Sequence, residues 1–244
     1  MITHVKSLAL SVPVIVAGAC AQAAVIDFSG FAEGTVMNGA FDFGNGLTGT
    51  LSSSDLSSSA TGDIIICDTS TAGSDCREND PDLQSNFLPG SSTDFDLGAI
   101  DFGNALILEE TGGSGSGANV DDAANGGMIT FVFDNMVRLS TLSILDGADN
   151  SPTGASIFFD ASAVAFATGR GGDDNEYDIV DLGDTVVSSF SIHFAGSGAL
   201  GGFEATVVPL PAGGVLALSA FGLLGALRFR QRRGAASKAK TSVS

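Results

Sequence analysis

The 244-residue chain carries 28 Asp and Glu against 10 Lys and Arg, a formal net charge of −18, with 33 Gly, 17 Phe and no Trp. An acidic chain repels phosphate backbones instead of exchanging their counter-ions, so nucleic acid is excluded as a partner. All 28 acidic residues lie between Asp27 and Glu204, where the only basic side chains are Arg77, Arg138 and Arg170, so this stretch alone carries a net charge of −25.

Residues 1–23 have the order of a signal peptide: His4 and Lys6, an apolar run over residues 8–19, then Ala21-Gln22-Ala23 as an A-x-A cleavage site. The run is shorter than the about 20 apolar residues of a comfortable membrane span. A buried N-terminal helix is the bland alternative. Lipidation at Cys20 is disfavoured, because Ala17-Gly18-Ala19 lacks a large aliphatic residue before it. Cleavage after Ala23 removes Cys20.

Residues 24–206 read as one all-β domain. Short apolar or alternating runs recur at residues 25–28, 64–67, 105–108, 128–133, 137–145, 156–159, 164–168 and 186–194. The clearest is Phe190, Ile192 and Phe194 against Ser189, Ser191 and His193, a period of two with one face buried. Helical periodicity is absent, and Gly, Ser, Asp and Asn fill the connections. About 180 residues suffice for one two-sheet core, so a single β-sandwich or jelly roll is expected, with Phe supplying the aromatic packing. Residues 52–60 and 111–118 read as long flexible loops.

Cys67 and Cys76, the only cysteines left after signal cleavage, are an even pair across "DTSTAGSD" in an exported chain. A disulfide closing that loop is expected, and a metal site is not, since no further Cys or nearby His completes one. The acidic loops hold oxygen ligands without His, which suits Ca²⁺ better than a transition metal. Clusters occur at Asp80/Asp82, Asp94/Asp96, Asp121/Asp122, in "LDGADN" and in "GGDDNEYD", none with EF-hand spacing. Asp121, Asp122, Asp146 and Asp149, at the ends of the two clearest central strands, are the candidate ligands; for most of these Asp the bland alternative is solvated surface. Catalysis finds little footing. His193 is the only His of the body and reads as a solvent-facing strand residue, no phosphate-cradling glycine loop is present, and Tyr177 is the only Tyr. A glycosidase needs just two carboxylates, so a hydrolase stays open beside a sugar-binding module, while the single Tyr and missing Trp count against both as sugar-stacking platforms.

Residues 207–244 answer the N-terminus. No charged residue occurs over the 21 positions 207–227, about enough to cross a bilayer. Pro209 and Pro211 stand at the start of this span, where a helix tolerates a missing N–H. Gly213, Gly214, Gly222 and Gly225 suit close helix approach in lipid. Arg228, Arg230, Arg232 and Arg233 then act as a basic stop-transfer that stays cytoplasmic. A transmembrane helix over 208–227 and a basic tail over 228–244 are expected, making the chain an exported, membrane-anchored precursor.

Val208-Pro209-Leu210-Pro211-Ala212, followed by a Gly/Leu/Ala span and an arginine cluster, resembles the VPLPA variant of the PEP-CTERM sorting signals of Gram-negative bacteria. The match covers about the last 37 residues, and Gly234 to Ser244 prolong the tail beyond the usual end. The resemblance implies an exosortase, an integral-membrane cysteine transpeptidase-like enzyme, as processing partner. It also implies delivery through the inner membrane to the cell surface or medium of an exopolysaccharide-producing cell. More loosely, "VIDFSGFAEGT", "DPDL", "NALILEE", "DDAANGGMITFVFDN", "LSILD" and "FAGSGALGGFEA" resemble domains that precede such signals, similar in outline to carbohydrate-binding jelly rolls. The expectation is a structural or adhesive surface or matrix protein and no enzyme; the alternative is a secreted polysaccharide-binding module or hydrolase.

Overall fold

In the computed structural model of the chain, the described residues are 23–54, 60–72, 74–76, 83–84, 88–89, 99–110, 120, 122–147, 154–160, 162–168, 176–209 and 222. One compact unit covers Ala21–Val208; the other, Met1–Cys20 with Pro209–Ser244, falls almost wholly outside the described residues. The strands are β1 (Ala23–Ile26), β2 (Gly39–Asp42), β3 (Thr48–Ser54), β4 (Ala60–Asp68), β5 (Leu88–Pro89), β6 (Asn104–Glu110), β7 (Gly127–Leu145), β8 (Ala155–Phe159), β9 (Ser162–Thr168), β10 (Glu176–Phe194) and β11 (Ala199–Val207). Hydrogen bonds join them into one sheet in the order β4-β6-β11-β7-β10-β8-β9. β1 adds to β11, β3 to β7 with β2 beyond it, and β5 to β10. Every pairing of these strands is antiparallel except β5 with β10. Among the described residues almost none is helical, so the all-β class holds.

Two strands of 19 residues, β7 and β10, form the spine. Residues 128–133 of β7 pair with β3, and residues 137–145 pair with β11. A straight strand would set Phe131 about 36 Å from Leu142. Phe203 pairs with Leu142, yet its ring lies 5.2 Å from that of Phe131. The spine therefore bends back and the sheet curls on itself. The bend falls where the ladder breaks, between Asp181 and Thr185 and between Val187 and Ser189 of β10, the second break opposite the exposed residues 134–136 of β7.

The concave side holds the main core. Phe131 stacks on Phe190 at 4.6 Å, and Phe203 meets both edge-on. Such arrangements suit the ring quadrupoles, and each buried Phe contributes roughly 1.5–3 kcal/mol. Phe supplies the aromatic packing of this core, in a chain without Trp. β6 is buried along five successive positions, as a strand covered on both faces must be. Its Leu106 and Leu108 face the main core with Ile64 and Ile66. Ala105 and Ile107 face a second cluster with Ile65, Cys67, Cys76, Leu83, Val120, Leu145, Tyr177 and Ala199.

Three strand expectations are corrected. Residues 52–54, read as loop, belong to β3, because their side chains alternate in the register set by Phe131 and Ile129. The runs 128–133 and 137–145 are one bent strand, and the run at 186–194 starts ten residues earlier. β11 was not foreseen, since "ALGGFEATV" carries two glycines mid-strand. A Cβ on Gly202 would collide with the Ile26 carbonyl oxygen, so the close approach of β1 demands glycine there. Residues 111–118 lie outside the described residues.

Candidate functional site

The stretch expected as a sorting motif, Val208 onward, begins where β11 ends. Val207 pairs with Val137, and the Val208 N–H donates to the Met136 carbonyl at 2.8 Å. Val208 thus continues the ladder, and exposed Pro209, with no N–H, cannot. Across β11, Ala23 pairs with Thr206 and Ala24 with Ala205. The expected signal-cleavage bond and the first motif residue therefore lie on adjacent strands at one end of the sheet. Leu210, Pro211 and Ala212, Arg228, Arg230, Arg232 and Arg233 lie outside the described residues, as does the 208–227 span except Val208, Pro209 and Gly222. Among the described residues no helix is long and apolar enough to cross a membrane.

Cys67 and Cys76 sit at disulfide distance, with Cα atoms 5.4 Å apart, as their loop requires. Both are fully buried in the second cluster. The loop is shaped locally. Asp68 Oδ1 accepts from the Ser70 and Thr71 N–H groups and the Ser70 hydroxyl. Burial pushes the Asp68 carboxyl up, but the Thr71 and Ser70 hydrogen bonds outweigh it and hold it below the ordinary value. Glu33 then takes the Asp75 and Cys76 N–H groups on its two oxygens, at 3.2 and 2.8 Å.

Of the four candidate calcium ligands, Asp122 and Asp146 are described and both are buried; Asp121 and Asp149 lie outside the described residues. Asp122 bridges Glu109 through the backbone, and its Oδ2 accepts from the Ser197 hydroxyl at 2.6 Å and the Gly198 N–H at 2.5 Å. It fastens the turn between β10 and β11. Asp146, at φ +50°, ends β7 and donates its N–H to the Glu176 carbonyl. A Cβ on Gly198 would stand 3.2 Å from the Gly147 Cα, which places the two aspartates at one corner of the sheet. Among the described residues no group of three or more His, Cys, Asp or Glu is placed to hold a metal ion. His193 is half-buried on the outer face, between Met128 and Ser156 of neighbouring strands.

One feature escaped the sequence reading. A cleft of about 220 Å³ lies beside β1, lined by Val25, Ile26, Asp27, Phe28, Phe31 and Asp42 together with Gly30 and Phe43. The signal was a repeated tetrapeptide: Asp27-Phe28-Ser29-Gly30, Asp42-Phe43-Gly44-Asn45 and Asp101-Phe102-Gly103-Asn104. In each copy the Asp Oδ1 accepts the N–H two residues on, closing an Asx turn. Two of the three copies meet at the cleft. A comparison with family models, curated proteins and solved structures returns no match to this chain.

Proposed function

We propose that the chain is an exported structural or adhesive protein of the cell surface or extracellular matrix, with residues 207–244 a VPLPA-type sorting signal processed by an exosortase. The observation that carries this reading is order: a pentapeptide with two prolines, an uncharged span and four arginines follow directly on the last strand of a β-rich body. On this reading residues 1–23 are the signal peptide and the inner membrane holds the precursor through residues 208–227. The body is a single sandwich of jelly-roll type, formed by the curled sheet, and its partner is exopolysaccharide. No catalysis is assigned. The Phe-walled cleft favours the sugar-binding module over the hydrolase as second reading, because its polar groups stand at the rim of an apolar pocket.

Asp121, Asp122, Asp146 and Asp149 are proposed as ligands of a weak Ca²⁺ site, of which Asp122 and Asp146 are described. The close approach of Gly198, hydrogen-bonded to Asp122, and Gly147, next to Asp146, supports it, while the two hydrogen bonds on Asp122 Oδ2 favour a purely structural role for that oxygen.

The sorting reading is tested by the double substitution P209A/P211A in the native organism, followed by fractionation and blotting for the body. Export continues and the uncut precursor accumulates in the inner membrane, as it does for the wild type in a strain lacking its exosortase. Processing of the double variant at the wild-type rate would overturn the assignment of the motif.

A further inference from the structure

We propose that the cleft beside β1 binds a primary ammonium group carried on a hexose-sized ring, the chemistry of an amino sugar. Its 220 Å³ lies below the ~300–1,000 Å³ of drug-sized pockets and admits one small ring. The walls are aromatic: Phe43 stands 6.0 Å from Phe28 and 6.2 Å from Phe31, each edge-on, and is itself stacked on Phe41 at 4.7 Å. These contacts hold the rings in place, and Phe31 and Phe43 keep part of their surface open. Phe28 is buried with φ +55°, a left-handed conformation unusual for a bulky residue, which keeps its side chain under the cleft.

The rim is anionic. Asp27 Oδ1 accepts from the Ser29 N–H and hydroxyl, and Asp42 Oδ1 accepts from the Gly44 N–H. Each turn fixes its carboxylate, and each Oδ2 is without a hydrogen bond among the described residues. No Lys or Arg lines the cleft, and Arg138 is the only one among the described residues. Phe faces attract a cation and cover the apolar face of a ring, and two fixed carboxylates take the hydrogens of an ammonium. An anionic sugar is repelled by the rim and by the −25 body, and a neutral one leaves both carboxylates without a counter-charge. The inference stands on the cleft alone and holds whether or not the tail is a sorting signal.

The test is calorimetric titration of the full chain in detergent at pH 6 with glucosamine, glucose and N-acetylglucosamine, with ethanolamine as a single-charge cation lacking the ring. Glucosamine binds with a Kd in the millimolar range and the two neutral sugars bind at least about tenfold more weakly. D27N and D42N keep the turn acceptor and each weaken glucosamine about three- to tenfold, as does added salt, while D101N in the remote third copy leaves binding unchanged. F43L, checked by its melting temperature, loses the ring contact. Three results would each overturn the proposal: equal binding of all three sugars, ethanolamine binding as tightly as glucosamine, or no saturable glucosamine binding by a protein whose melt is normal.

Discussion

Asp160 shows how a single turn residue in this protein does structural work through its charge. It follows β8 at φ +46°, a conformation Asp tolerates better than most residues. Its Oδ1 accepts from the Ser188 N–H and hydroxyl at 2.8 Å and the Ser189 N–H at 2.9 Å, beside the bulge of β10. Burial pushes this carboxyl up, but the Ser188 and Ser189 hydrogen bonds outweigh it and leave it below the ordinary value. A carboxyl depressed in the folded state stabilises the fold above its unfolded value of about 3.9, and that contribution is lost as pH falls through the folded value. Asn at this position keeps the acceptor and loses the charge. The melting temperature of D160N should therefore lie below wild type at pH 7, with the gap closing as pH falls from about 5 toward 3. A gap independent of pH would mean that only the hydrogen-bond geometry matters. Such turn residues were legible from sequence: Asn45, Asp146 and Asp160, all at positive φ, sit among the Gly, Asp and Asn clusters that marked connections, whereas Asp184, also at positive φ, lies at a bulge within β10.

The strands were legible wherever one face is wet. β8 and the last part of β10 alternate cleanly because they bury one side only. β11 alternates poorly, being buried from Ala199 to Phe203 without a break, and its glycines answer to packing rather than to turn chemistry, Gly202 to β1 and Gly201 to Phe102 and Leu145. β3 was hidden by its own composition: "TGTLSSS" buries Gly49 and Leu51 and leaves Thr and Ser outside, a pattern that also describes a flexible loop. The cysteine pair was readable because pairing needs only parity and export. Its place was not, since the second cluster exists only once β4, β6 and β11 are side by side. The disulfide closes a short loop and so stabilises the fold by roughly 2–3 kcal/mol in the chain-entropy model, less any strain. Non-reducing mass spectrometry of exported protein should find Cys67 linked to Cys76, and C67A/C76A should lower stability by about that amount in urea. Two free thiols in protein recovered outside the cytoplasm would remove the pairing.

At the scale of the whole molecule, charge is the dominant fact. A body at −25 repels itself, and every cation that binds only the folded form offsets part of that repulsion by mass action. With Ca²⁺ at a hundred times Kd the gain is about 2.7 kcal/mol. Extracellular sites often bind at around 10⁻⁴–10⁻³ M, so millimolar Ca²⁺ engages them. Melts in EDTA, in millimolar Ca²⁺ and in Mg²⁺ at matched ionic strength separate a site from screening. Ca²⁺ alone should raise the melting temperature, and D146N should remove most of the rise. An equal rise with Mg²⁺ or plain salt would reduce the effect to screening. The acidic clusters were legible as clusters, but not that Asp122 would fasten the turn that leads into β11, which brings Gly198 against Gly147 beside Asp146.

The sheet places its final strand in the middle. β11 contacts β1, β6 and β7, and without it the β4–β6 pair and β1 have no edge to join. A chain that emerges from a ribosome or a translocation channel N-terminus first cannot complete this body until residue 207 is out. Until then the long spine and its partners wait with open edges, the state most exposed to mispairing. Maturation is thus a matter of timing: the last strand to arrive closes the fold, and Val208, the next residue along, is already part of the ladder when it does.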